Sequence, residues 1–279
     1  MARARAIEGW RSGHGEPLVL IHGAESLWQV WRPVLGPLSQ HYDVHAITLP
    51  GHWGGPPLGD APISIGTFAD AVEGYLDAAG LPTAHVAGNS LGGILAVEMV
   101  RRGRARSAVS FSGPSAVDSD AQIKRLLRLF ALGIVVSKAP FIDYLGTRSP
   151  RFRKALMATG MVHGDQMTPE EFTESLTASR SADIALPLVR DVRKNGLPDP
   201  FSAGDVPVIV AWGVKDRIVP FKGYGEPSWK MVAGADLRML PDAGHTPMWD
   251  APELVVRTIQ HATARASRVP QGPEDVPVS

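Results

Sequence analysis

The chain has 279 residues, 44% of them hydrophobic, with 28 basic and 28 acidic side chains and no cysteine. A chain of that length buries well over half of its unfolded surface without a disulfide or metal staple, and it fits one large domain or one domain carrying an insertion. The lack of cysteine excludes a disulfide scaffold, a thiol nucleophile and thiolate-bound metal, and a net charge of zero offers no pull on nucleic acid or an anionic membrane.

The basic start of the chain, Met1 to Ala6, runs into Glu8, Gly9 and Arg11 rather than into an apolar export stretch. The longest apolar run, 129–136, has eight residues, against roughly 20 needed to cross a bilayer. The expectation is a soluble, cytoplasmic protein with no membrane partner. Apolar runs at 18–21, 42–49, 84–87, 108–111, 206–212 and 237–240 are short, rich in Val and Ile, and stopped by Gly, Pro or polar residues. Buried parallel strands have this look. Between them, 64–79, 91–101 and 252–264 carry apolar residues at helical spacing, and Pro252 with Glu253 makes a good helix start. Alternation of this kind predicts a doubly wound sheet with helices on both faces.

Residues 118–199 break the alternation. Segments 121–136, 150–159, 169–178 and 184–194 all read as helices, the third opened by Thr168 as cap with Glu170 and Glu171 in the first turn. They are expected to form a helical lid inserted into a sheet domain made of 1–117 and 200–266. Residues 267–279 hold three prolines without periodicity and read as a loose tail.

The strongest local signal is Gly88-Asn89-Ser90-Leu91-Gly92-Gly93. It follows an apolar strand and opens a helix, so Ser90 sits on a sharp turn with its hydroxyl above the sheet edge, beside free N–H groups. A serine hydroxyl needs a base to take its proton. Among nine histidines, His245 is best placed, in a loop just after the sixth apolar run and thus above the carboxyl edge of a parallel sheet. Asp216, in the loop after the fifth run, is the candidate carboxylate to orient that imidazole. Asp242 and Asp250 are nearer His245 in sequence but follow no separate strand. Backbone N–H groups of Leu91 and Ala24 are the candidate oxyanion donors. His22, beside Ala24, is read as shaping its loop. Trp28 and Trp249 are candidate walls of a substrate pocket, and Met157, Met161 and Met167 fit an adaptable apolar surface or plain core filling. The lid arginines Arg125, Arg128, Arg148, Arg151 and Arg153 read as a solvated helix face, with reception of a substrate carboxylate as the alternative. No His-Glu-x-x-His or phosphate-binding loop occurs.

Taken together, His22-Gly23, Pro50-Gly51-His52, the elbow at Ser90, Asp216 with Val219-Pro220, and Gly244-His245 resemble the α/β-hydrolase superfamily in its lid-bearing serine branch, over residues 16–265. The resemblance implies an α/β-hydrolase fold, a mostly parallel eight-stranded sheet, an acyl-enzyme intermediate on Ser90, and no metal or organic cofactor. Its dehalogenases and epoxide hydrolases place an aspartate at the elbow, where this chain has Ser90. Gly-Asn-Ser-x-Gly-Gly is similar to the elbow of its carbon–carbon bond hydrolases, but these often carry tryptophan after the catalytic histidine, where this chain has Thr246. The expected activity is therefore hydrolysis of a small or medium carboxylic ester. Carbon–carbon hydrolysis, lactone opening or acyl transfer by the same residues comes second, and a silent binding protein of the same fold third.

Overall fold

The computed structural model describes residues 9–117 and 119–268. Most of the tail expected at 267–279 therefore lies outside the described residues, as do residues 1–8. In chain order the elements are β1 (Gly9–Ser12), β2 (Glu16–Ile21), a 3-10 turn (Trp28–Trp31), α1 (Arg32–Ser39), β3 (Tyr42–Ile47), α2 (Ile65–Ala78), β4 (Ala84–Asn89), α3 (Leu91–Arg101) and β5 (Ala105–Phe111). A run of helices follows: α4 (Asp120–Ser137), α5 (Phe141–Arg148), α6 (Pro150–Met157), α7 (Pro169–Arg180) and α8 (Ala185–Asn195). The chain then returns through β6 (Phe201–Ser202), β7 (Val208–Gly213), α9 (Glu226–Lys230), β8 (Val232–Ala233), β9 (Asp236–Leu240), α10 (Pro247–Asp250) and α11 (Pro252–Ala266).

Seven strands make the main sheet, in the order β1-β3-β2-β4-β5-β7-β9. All neighbours run parallel except β1, which pairs antiparallel with β3. The family resemblance implied eight strands; seven stand among the described residues, and β6 pairs only with β8 in a separate two-stranded ribbon. Every residue of β4 and β7 is buried, which is why these strands read as unbroken apolar runs. Helices α2 and α3 cover one face with Phe68, Val72, Leu76, Leu95 and Met99. Helices α1 and α11 cover the other with Val34, Leu38, Val255 and Ile259.

β5 pairs directly with β7, so α4 to α8 are an insertion between two adjacent strands. Its helices start on strong local signals. Ser119 and Thr168 each complete a reciprocal capping box, with Gln122 and Glu171 respectively, and Ser149 caps α6. The insertion has its own small core of Ile142, Phe172 and Leu176. Gly146 of α5 is part of its design: a methyl group there would lie 1.9 Å from the ring of fully buried Phe172.

The sheet topology places the site. Strand order reverses at β2, whose neighbours are β3 and β4, and ligands of open α/β sheets bind beyond the carboxyl ends of strands at such a switch point. Ile21 is in register with Gly88, so the loops that leave β2 and β4 run side by side.

A glycine-to-alanine change inside a helix ordinarily stabilises by about 1 kcal/mol. Gly146→Ala is expected to do the reverse, costing about 1–3 kcal/mol through overpacking against Phe172. Urea unfolding gives the magnitude. Hydrogen exchange should show lost protection in α5 to α7 while β4 and β5 keep theirs.

Candidate active site

Ser90 sits on the turn between β4 and α3 with φ 56° and ψ −116°. That positive φ is strained for a residue with a side chain and survives only where the surroundings impose it. Here they do. A Cβ on Gly88 would meet the carbonyl oxygen of Gly92 at 1.9 Å, and one on Gly92 would meet that of Ile21 at 2.1 Å. Only bare backbone lets α3 start so close to β2 and β4. Asn89 anchors the turn sideways: its Nδ2 donates to Phe111 O (3.2 Å) and to His245 O (2.8 Å). No pattern in the sequence announces that the residue before the serine ties it to the histidine loop.

His245 Nδ1 and Asp216 Oδ2 are 2.8 Å apart, and the Asp216 side chain is wholly buried. The other carboxylate oxygen accepts the N–H groups of Ile218 and Val219, each at 2.9 Å. A buried carboxylate so satisfied is fixed in place, and it holds Nδ1 as the protonated nitrogen, leaving Nε2 free to accept. Ser90 and His245 line one cavity of about 250 Å³, between the carboxyl edge of the sheet and the inserted helices.

The loop after β2 borders the same space. A Cβ on Gly23 would lie 3.1 Å from Cβ of Ser90, so Gly23-Ala24 passes directly over the serine. Leu91 opens α3, where the first N–H groups have no partner within the helix. His22 is fully buried. Its Nε2 accepts Leu49 N–H at 3.0 Å, which leaves Nδ1 to donate to Gly23 O at 2.7 Å. Burial holds its pKa well below the ordinary value, with His52 at 4.5 Å a further cause. His52 in turn bonds Ala24 O (3.1 Å), so two imidazoles brace the loop of Gly23 and Ala24.

Trp249 lines the cavity, with Met157, Met161 and Met167. Trp28 does not join them: it is buried in the core with Leu35 and Met248, under the guanidinium of Arg32. The lid arginines point elsewhere. Arg153 is buried and donates to Gly146 O at 2.7 Å, Arg125 binds the carbonyls of Ile218 and Arg217, and Arg148 lies over Tyr144. Among the described residues, no group of three or more His, Asp or Glu side chains is arranged to hold a metal ion.

Two further carboxylates matter. Asp250 accepts the N–H groups of Val162 and His163 from the insertion and of Gly244 from the histidine loop, at 2.8–3.0 Å. Thr246 N–H also reaches Gly160 O at 3.0 Å, so the insertion is bolted to the loop that carries His245. Glu25 follows Ala24 and lines the cavity with its Oε1 buried and unbonded. Burial pushes its carboxyl up to about 7.

Residues 18–258 match the model of the alpha/beta hydrolase family, and the chain belongs to that family. The epoxide hydrolase EphH of Mycobacterium tuberculosis is 31% identical over 206 residues, spanning 71% of this chain and 94% of that protein. A 2-hydroxymuconate semialdehyde hydrolase of Pseudomonas is 26% identical over 283 residues, spanning 92% and 87%. Among solved structures, a putative lipase from Acinetobacter baumannii superposes with a TM-score of 0.73 at 21% identity, over 92% of this chain and 87% of that one.

Asp250→Ala removes the acceptor of three backbone N–H groups and is expected to cost about 2–4 kcal/mol in urea unfolding, since each orphaned donor keeps its desolvation penalty. Glu25→Gln should change stability with pH in a definite sense. The folded-state pKa of about 7 lies above the ordinary 4.5, so the wild type loses stability as pH rises from the unfolded value through 7, and glutamine does not. The variant should gain about 3 kcal/mol over the wild type above that range and almost nothing near pH 4. Thermal unfolding across this pH range measures the gap.

Proposed function

We propose that the chain is a serine hydrolase of small or medium carboxylic esters, with Ser90 as nucleophile, His245 as base and Asp216 as its orienting carboxylate. The observation that carries this is the 2.8 Å contact of His245 Nδ1 with buried Asp216, on the rim of the cavity that Ser90 enters from a strained turn. His245 Nε2 takes the Ser90 proton as Oγ attacks the carbonyl carbon. The N–H groups of Ala24 and Leu91 receive the oxyanion, and the positive end of α3 adds to their field. His245 then hands the proton to the leaving alcohol. Water attacks the acyl-enzyme by the reverse path and releases the acid. The helices of 120–195 act as the lid over this chemistry, and a small molecule is the only partner it calls for.

The names of the relatives suggest other bonds. Opening an epoxide through an ester intermediate calls for a carboxylate nucleophile, and Ser90 occupies that position. Carbon–carbon bond hydrolysis, lactone opening or acyl transfer would use the same residues. The absence of Lys and Arg from the described cavity lining makes a substrate with a free carboxylate the poorer fit. A silent receptor would have no use for a strained serine beside an imidazole held by a buried aspartate.

A fluorophosphonate probe reacts with an activated serine without knowledge of the substrate. Labelling of the wild type that vanishes in Ser90→Ala, with a loss of at least about 10³-fold in kcat on a short aryl ester, is the expected result. Equal ester turnover by Ser90→Ala would sink the assignment.

A further inference from the structure

Ser90 borders two cavities, and polar side chains are concentrated in only one of them. One is the space of about 250 Å³ already described, which His245 also lines. The other is a cleft of about 60 Å³, walled by aliphatic side chains such as Ile94, Leu126, Leu188 and Val219. Ala24, Ser90, Phe130 and Ile218 border both, whereas His245 borders only the larger. A leaving alcohol must receive its proton from His245. The alcohol side of an ester therefore belongs in the larger cavity and the acyl side in the apolar cleft.

The larger cavity is acid-lined. Glu25, Glu171 and Glu174 border it, and among the described residues no Lys or Arg does. Two of these carboxylates are already engaged: Glu174 is paired with Arg32 at 2.8 Å, and Glu171 accepts the N–H of Thr168 at 2.8 Å. Glu25 has no such partner for Oε1, and Gln29 Oε1 in the same wall is likewise buried and unbonded. Two buried acceptors without donors are costly unless a ligand supplies the donors. We propose that the substrates are esters of amino alcohols, with a short aliphatic acyl group in the apolar cleft and a protonated amine on the leaving alcohol received by Glu25, a proposal that rests on Ser90 being the nucleophile. Glu25 is then the specificity-determining residue. The carboxyl that burial holds near 7 ionises fully once a cation lies against it.

Three butyrate esters test this with the full chain at about pH 8, where Glu25 is ionised and a tertiary amine is protonated: dimethylaminopropyl butyrate, its neutral methylpentyl isostere and carboxypropyl butyrate. The expected order of kcat/KM is amine over isostere over carboxylate, with at least about tenfold between the first two. Glu25→Gln should bring the amine-to-isostere ratio down to about one, and where that variant is unstable the wild-type order alone decides. A wild-type ratio of one or less, or a ratio that Glu25→Gln leaves unchanged, overturns the proposal. So does failure of a protein that labels at Ser90 to turn over the amine ester, and in that case the nucleophile assignment stands. Failure of both labelling and turnover overturns the two together.

Discussion

The site depends on one crowded crossing of backbone, where β4 turns into α3 against the end of β2. Ser90 is held at a positive φ because Gly88, Gly92 and the carbonyl of Ile21 leave no other path. The strain costs on the order of 1–3 kcal/mol, and the packing of a fully buried sheet and helix can carry that. In exchange the hydroxyl projects beyond the sheet, next to the unpaired N–H groups of a helix start and under the loop after β2. Any side chain at Gly92 would push α3 away from Ile21 and take the serine with it. The position of Ser90 is therefore a property of the sheet, not of a loop.

The imidazole opposite is positioned by a different means. Its loop joins β9 to the short α10, and carboxylates and amides stiffen it. Asp216 holds the ring, Asn89 holds the backbone carbonyl of His245, and Asp250 holds Gly244. Because Asp250 also takes two N–H groups of the insertion, the helices over the cavity and the histidine loop share one acceptor. Their relative placement is set by short hydrogen bonds to a single carboxylate rather than by apolar packing alone. Opening the insertion would have to break those bonds or carry Gly244 along.

Much of this was legible in the sequence, and the limits have physical causes. β2, β3, β4, β5 and β7 stood out because strands covered on both faces read as apolar runs, whereas β9, a partly exposed edge strand, showed only as Leu-Arg-Met-Leu. The elbow stood out because a strained turn between strand and helix demands glycine on both sides of Ser90. β1 escaped notice because it is a four-residue edge strand, Gly-Trp-Arg-Ser, with two exposed positions, and it pairs only with β3. α1 was hidden by Gly36 and Pro37, which argue locally against a helix, although its apolar stripe of Val34, Leu35 and Leu38 packs fully. α5 opens behind a proline and is short. Trp28 was expected at the pocket from its place in the chain, but a 3-10 turn that spacing does not reveal rotates it into the core. Asp250 was set aside because it follows no strand of its own. Its importance lies in partners some 87 residues away that no pattern announces.

Net charge was the least informative quantity and also the most misleading about the site. A balance of zero describes the whole chain, while chemistry responds to the charges within a Debye length, and inside a cavity to those few that solvent does not screen. The arginines of the insertion are numerous, yet the structure uses them as braces: Arg153 on Gly146, Arg125 on the loop of Asp216, Arg180 on Asp143. Each such contact removes a positive charge from the cavity wall without changing the total. Glu25, by contrast, stays on the wall because it belongs to the loop that must pass over Ser90, where two buried imidazoles leave the backbone no freedom to turn it away. The place of the Glu25 carboxyl on the cavity wall thus follows from the same constraint that builds the elbow, in a chain whose total charge is zero.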